Sequence, residues 1–484
     1  MKGTVDRARD ALRSHDFRRL FAIRLVSQSA DGLFQAALVA SIIFSPEKQS
    51  TTAGFAIATL VVSAPFSLIG PFTGVFIDRW SRRRILIVAP WFRAALVWLA
   101  LFDPHTAPIA FYGGVLWVLS VNRFYLATAV AVVPRLVPTE DLLMANSMAT
   151  VGGTVALLAG VFVGGWISDA FGNTPVVVAA GLMWVVASFV ATRITSSLVP
   201  HHLPEGPMRD ELQRVVHEFA DGIKRLAGTP RAVGPITSIT LDQMGQGIVL
   251  VLSLIVFRDQ FKEGVASFSN LIGAGGVGVF LGILTVGKLE EHFAKERIVS
   301  GAFFIGSLAL LAVSTYITGW TVLLASFVVG LTFAWKKIPI DTMVQEAIPD
   351  GYRGRVFAVY DVAYNVSRIV AAFLAIPMLP HLGAAWSVAL IGVAFLLWAP
   401  VLPRWIARTP ELTIRFYEGA KAEEWPRAVL WGGVEETVEV RRSWLEERNG
   451  ERLACFRLAM EDGTVIEVSK LEGATSWRLD RELS

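Results

Sequence analysis

Apolar stretches of about twenty residues recur along most of this chain, and no other feature limits its fold as strongly. In lipid every backbone polar group must be satisfied within the chain, so a helix of about 20 mainly apolar residues is the unit that crosses roughly 30 Å of hydrocarbon. That template fits about twelve times between Phe17 and Trp405. The predicted spans are 18–44, 52–77, 84–103, 107–133, 147–170 and 174–195, then 233–257, 266–289, 298–317, 319–343, 355–379 and 384–404. A polar segment, 196–232, separates the two sets of six, and residues 1–17 form a charged amphipathic lead-in.

Composition agrees: 54% of the residues are hydrophobic and 18% charged, against about 45–50% and about 25% in soluble domains. The net charge of +3 and pI near 9.0 would also suit a nucleic-acid binder, but here the basic residues are segregated. One alternating set of connections carries DRWSRRR, the 196–232 segment, EEHFAKER and DGYRGR, whereas FDPHTAP, FGNTP, ITGW and LPHLGAA have no Lys or Arg. The positive-inside rule then predicts a multi-pass plasma-membrane protein with both termini cytoplasmic, a lipid bilayer as its surroundings and no nucleic-acid partner. The apolar run after the lead-in is too long for a removable signal peptide.

Within 196–232, Leu212, Val215, Val216, Phe219, Ile223 and Leu226 recur at helical spacing, which predicts an amphipathic helix on the inner membrane surface. From about Thr409 short alternating runs begin, with turn signals at Asn449-Gly450 and Asp462-Gly463. Residues 410–484 therefore read as a small soluble cytoplasmic β domain of about five or six strands, with Phe416, Trp425, Trp431, Trp444, Phe456 and Trp477 available for its core. It faintly resembles a small β domain of unassigned function that also exists alone. A gate, a docking point for an unknown partner and a stability appendage are all open for it.

The strongest local motif is GVFIDRWSRRR, between the second and third spans. It is similar to the signature that major facilitator transporters carry at the same place, with Gly74, Asp78, Arg79, Arg82 and Arg83 on the matching positions and Ser81 in place of the usual second glycine. A degraded copy, GKLEEHFAKER, follows the eighth span, where Gly287 and Glu291 repeat the spacing of Gly74 and Asp78 and Lys295 follows. VPRLVPTEDLLMANSM and TMVQEAIPDGYRGRVFAVYD resemble the branch containing siderophore, macrolide and other efflux permeases.

The resemblance covers about 17–405 and implies an all-α membrane protein: twelve transmembrane helices in two pseudo-symmetric six-helix bundles, 18–195 and 233–405. It also implies cytoplasmic gating by the two motifs, an ion-pair latch that breaks as the bundles rock. The plainer reading of the first motif is a positive-inside anchor. The glycines 153, 160, 164 and 165 resemble an antiporter motif of the fifth span that lacks its proline here; helix packing explains them equally.

Ionisable groups at membrane depth cost at least about 2.5–3.5 kcal/mol each unless they face a partner or water. Arg24, Gln28, Asp31 and Gln35 fall on one face of the first span, which is expected to line a central cavity. Asp31 is the leading proton-coupling candidate and Asp242, in the pseudo-equivalent seventh span, the second. A structural ion pair of Asp31 with Arg24 or Arg123 is the alternative. Gln243, Gln246, Asn122, Arg123, Asp361, Tyr364, Asn365 and Arg368 complete the candidate substrate cavity, with a cross-helix partner for Asp361 at least as credible as Arg368. Lys336 and Lys337 are expected to snorkel toward the interface, with a substrate role as the alternative.

The chain has no GxxxxGK[ST], GxSxG or HExxH motif and one cysteine, Cys455, so neither an ATP-driven pump, an enzyme, a cofactor site nor a cysteine metal cluster is read from it. The expectation is a secondary transporter exporting an amphipathic small molecule against protons. An importer or lipid translocator of the same fold, or a membrane sensor signalling through the tail, are the alternatives.

Overall fold

The structure is a computed structural model that describes residues 12–42, 80–97, 107–138, 141–195, 208–256, 264–408 and the six strands of the tail, with a few single residues between them. The first half contains α1 (His15–Ile42), α2 (Arg82–Leu96), α3 (Pro108–Val132), α4 (Leu142–Phe171) and α5 (Asn173–Thr192). A connecting helix, α6 (Met208–Ala227), leads to α7 (Pro230–Ile255), α8 (Val265–Glu290), α9 (Lys295–Thr315), α10 (Gly319–Ala347), α11 (Asp350–Trp398) and the short α12 (Val401–Arg408).

Among the described residues eight helical stretches are long and apolar enough to cross a membrane. The last of them, Gly351–Arg408, holds two helices that meet at Gly383 and continues into α12. α1 spans 28 residues but carries Arg24 and Asp31 in its middle and is not among the eight. The predicted second span, 52–77, lies outside the described residues apart from isolated positions.

Polar side chains tie the helix ends together and show how the helices run. At the start of α1, the Asp16 carboxylate accepts from the Thr195 backbone N–H at 3.1 Å and its hydroxyl at 3.0 Å, just past the end of α5. At the other end, Asn173 opens α5 by donating to the Ala37 carbonyl at 3.1 Å. In the second half Ser300 donates to the Ala399 carbonyl and Trp405 to the Pro230 carbonyl. The starts of α1, α2, α7 and α9 thus share one end, the basic end.

The two halves turn back alike at the opposite end. Gly172 (φ 82°) separates α4 from α5, and Gly383 (φ 73°) separates the two helices of α11; both are in the left-handed region that favours glycine. Elsewhere glycine serves close approach: a Cβ on Gly160 would lie 2.1 Å from the Ser29 carbonyl oxygen, so α1 and α4 pack backbone to backbone.

α6 forms as its periodicity predicts, and one face of it lies against the start of α11. Gly222 abuts the Arg355 carbonyl, Asp221 pairs with Arg355 at 3.8 Å, and the buried Arg225 guanidinium stacks 4.6 Å from the Tyr352 ring centre. A surface helix alone would leave Arg225 in water.

The tail is a six-stranded antiparallel meander in the order β1 (Leu412–Phe416), β2 (Pro426–Trp431), β3 (Val434–Arg448), β4 (Glu451–Met460), β5 (Val465–Leu471) and β6 (Arg478–Leu483). Its core gathers Ile414, Val429, Val438, Leu458, Ile466 and Val468 under Trp477, whose ring lies 5.4 Å from Phe456. Trp444 is only half-buried, and the side chains of Phe416, Trp425 and Trp431 lie outside the described residues.

Candidate transport site

Between the halves lies a cavity of about 630 Å³, within the range of about 300–1,000 Å³ that holds drug-sized ligands. α4 supplies its wall in the first half, and α7, α8, α9, α10 and α11 the rest. Four sequence candidates are brought together on it: Gln243, Gln246, Tyr364 and Arg368. The remaining lining is chiefly aliphatic, from Val151 and Val155 to Val322 and Val388.

Asp242 stands directly behind this wall, fully buried and paired with the equally buried Lys336. Gln246, one turn along, donates to the second Asp242 oxygen at 2.6 Å and so links the pair to the cavity. Lys336 does not snorkel: its ammonium lies 4.8 Å and 5.2 Å from the ring centres of Phe303 and Phe395. A cation this deep is tolerable because both rings and the carboxylate replace its water.

Asp31 occupies a different setting. It is turned into its own bundle, where Arg93 of α2 pairs with it and the Trp184 indole donates to the same oxygen at 3.0 Å. The Arg93 guanidinium lies 4.0 Å from the Trp184 ring centre and donates to Ser27 at 3.3 Å. The partner is thus Arg93, not Arg24 or Arg123. The expected four-residue cavity stripe on α1 is also not assembled: Gln35 is exposed, Arg24 and Gln28 face Gly153 of α4, and none of the four lines the cavity. Asn122 is buried beside Asp31.

Toward the basic end a third group of charges joins the halves. Asp361 of α11 is within electrostatic reach of Arg123 of α3 and of Lys337, so its partners are cross-helix, while Asn365 donates to the Asp361 carbonyl at 2.7 Å. Lys337 bonds Asp341 at 2.5–2.6 Å, and the Tyr360 hydroxyl donates to Asp341 at 2.8 Å.

The gating candidates Gly74, Asp78 and Arg79 lie outside the described residues. Arg83 donates to the Thr192 carbonyl at 3.0 Å within its own half, and the Arg82 N–H to the Leu198 carbonyl at 3.3 Å. In the second motif Lys295 pairs with Glu346, Glu291 is exposed, and Gly287 has open space where a Cβ would stand.

Residues missed in the sequence include Arg93, Trp184 and Asp169. Arg93 lies within the third apolar run and satisfies the same criterion that picked Asp31. Asp169 closes the opposite end of the cavity region, its two oxygens accepting from the Val265 and Ala266 N–H groups at 2.9 and 2.8 Å. Below it Gly165 meets Ser269, Phe162 meets Gly273 and Leu158 meets Gly276, a seam between α4 and α8 across the halves. Asp169→Ala is expected to increase labelling of a cysteine at Ser269, by a membrane-impermeant thiol reagent, about fivefold, as loss of about 1 kcal/mol of stability of the seam would. Unchanged labelling would show that packing alone holds the seam.

Two helical halves tied by such a seam around a mainly apolar cavity make a membrane transporter. The chain belongs to the transmembrane secretion effector family of the major facilitator superfamily, whose model matches residues 8–369. An uncharacterized MFS-type transporter of Mycobacterium tuberculosis is 26% identical over 413 residues, covering 82% of this chain and 92% of its own. The multi-drug resistance efflux pump PmrA of Streptococcus pneumoniae is 22% identical over 339 residues, covering 66% and 77%. Among solved structures the nucleoside transporter NupG and the POT family transporter PepTSo both superpose with TM-score 0.63 over 81% of this chain, at 12% and 10% identity, and they share its fold.

Proposed function

We propose that this protein is a proton-coupled exporter of amphipathic small molecules working by alternating access, with both termini in the cytoplasm and the basic end facing it. The observation that carries the reading is the buried Asp242–Lys336 pair one hydrogen bond behind the cavity wall at Gln246. A pair this buried keeps the wall neutral while paired, and a proton taken by Asp242 from the open side would release Lys336 and Gln246 together. Asp31 fits the coupling role less well, since Arg93, Trp184 and Ser27 enclose its pair away from the cavity.

Export is favoured by the likeness to an efflux pump and by a mainly aliphatic cavity on which Gln243, Gln246, Tyr364 and Arg368 come together. The seam held by Asp169 would be the closed outer side, and the charges around Asp361 and Lys337 would line the cytoplasmic approach. The first motif, Gly74 to Arg83, is kept as a gating element and the 410–484 domain as a cytoplasmic appendage. The test is energised efflux of a panel of cationic, neutral and anionic fluorescent amphiphiles from pump-deficient cells, with and without a protonophore. Efflux that stops with the protonophore is expected; no efflux of any probe by protein confirmed in the membrane would sink the proposal.

A further inference from the structure

Among the described residues the charge on the cavity wall has one sign. Among its described lining residues Arg368 is the single side chain with a full charge, and Asp242 and Lys336 neutralise each other behind the wall. No ion pair of Arg368 is formed among the described residues, and it is half-buried, with its backbone against Gly247 of α7. Beside it stand Tyr364, Gln243 and Gln246, all able to donate hydrogen bonds. A guanidinium that forms no ion pair among the described residues, at the edge of an aliphatic chamber and beside neutral donors, is a receptor for an anion.

The chamber beyond this head site is long and apolar. Along α10 the lining runs from Phe333 to Val322, about 16 Å at 1.5 Å per residue, and Val313, Ile317 and Val388 border its far part. Below the seam α4 and α8 part: Val151, Val155, Phe280 and Ile283 line the cavity yet are exposed, so an apolar cleft opens into it at membrane depth. A hydrophilic anion gains nothing from such walls, and a hydrophobic cation meets the positive charge of Arg368.

Resting on the transporter reading above, we propose that the cavity selects anionic amphiphiles, an alkyl chain ending in a carboxylate or a similar single negative charge, with the head on Arg368 and the chain along the aliphatic shaft. Arg368 is then the specificity-determining residue.

The test is binding of dansyl-aminoundecanoic acid and of its methyl ester to the full-length protein in nanodiscs, read by dansyl fluorescence, for wild type, Arg368→Gln and Arg368→Lys. Wild type is expected to prefer the acid on the order of tenfold, the value of one charge-assisted contact. Arg368→Gln should erase the preference while keeping ester affinity, which also shows that it folds, and Arg368→Lys should restore part of it. Equal binding of acid and ester by wild type, or a preference that survives Arg368→Gln, overturns the proposal. Flux of the acid and of ethidium in proteoliposomes separates the two levels. Ethidium export with no acid preference refutes the inference and leaves the transporter reading, whereas acid preference without flux of either probe refutes that reading and leaves the site.

Discussion

Arg93→Met is expected to destabilise the protein by about 3–5 kcal/mol, the usual cost of stranding one member of a buried ion pair. Asp31 and Arg93 are 3% and 1% exposed, so no water can compensate the Asp31 carboxylate once the guanidinium is gone. Trp184 would still donate to it, and Ser27 would lose its contact with Arg93. The double variant Asp31→Leu/Arg93→Met removes both charges and should recover most of the loss, because apolar side chains of similar volume often replace such a pair without penalty. Unfolding in detergent micelles measures all three proteins. A single variant as stable as wild type would show that the pair is not dry in the folded protein.

The second large effect concerns transport rather than stability. Asp242→Asn/Lys336→Gln keeps the buried site neutral and hydrogen-bonded, so the protein is expected to fold, but it has no group left there to take a proton. Uphill flux in proteoliposomes with an imposed pH gradient should fall to that of empty vesicles, while exchange of substrate down its own gradient persists. The matching variant Asp31→Asn/Arg93→Gln should retain uphill flux. If the outcomes are reversed, the coupling group is Asp31 and the Asp242–Lys336 pair is structural. Loss of both uphill and downhill flux in the Asp242 variant would instead assign that pair to substrate passage.

Much of this arrangement was legible residue by residue. Counting the cost of a charge at membrane depth singled out Asp31, Asp242, Asp361, Arg123 and Arg368, and each occupies a partnered or cavity position. The partners were not legible, because a pair such as Asp31 and Arg93 lies 62 residues apart and helical periodicity says nothing about which neighbouring helix a face meets. For the same reason the shared face of Arg24, Gln28, Asp31 and Gln35 was real as spacing but not as a cavity stripe. α1 is wrapped by α4 on one side and α5 on another, so residues within one broad face reach different surroundings.

The amino-acid sequence by itself determined the class of fold: long apolar runs can be satisfied in lipid only as helices, and segregated charges mark where those helices end. The helix α6 and the change to strands after Thr409 were legible too, since each is a local property of period and turn chemistry. Only the tertiary structure decided that Lys336 turns inward to Asp242, that Asp169 holds α8, and that Arg368 borders an aliphatic chamber with no carboxylate among its described lining residues. Those outcomes depend on which helices pack together and how closely, and the energy of a buried charge is set by whatever group lies within a few ångströms of it rather than by its neighbours along the chain.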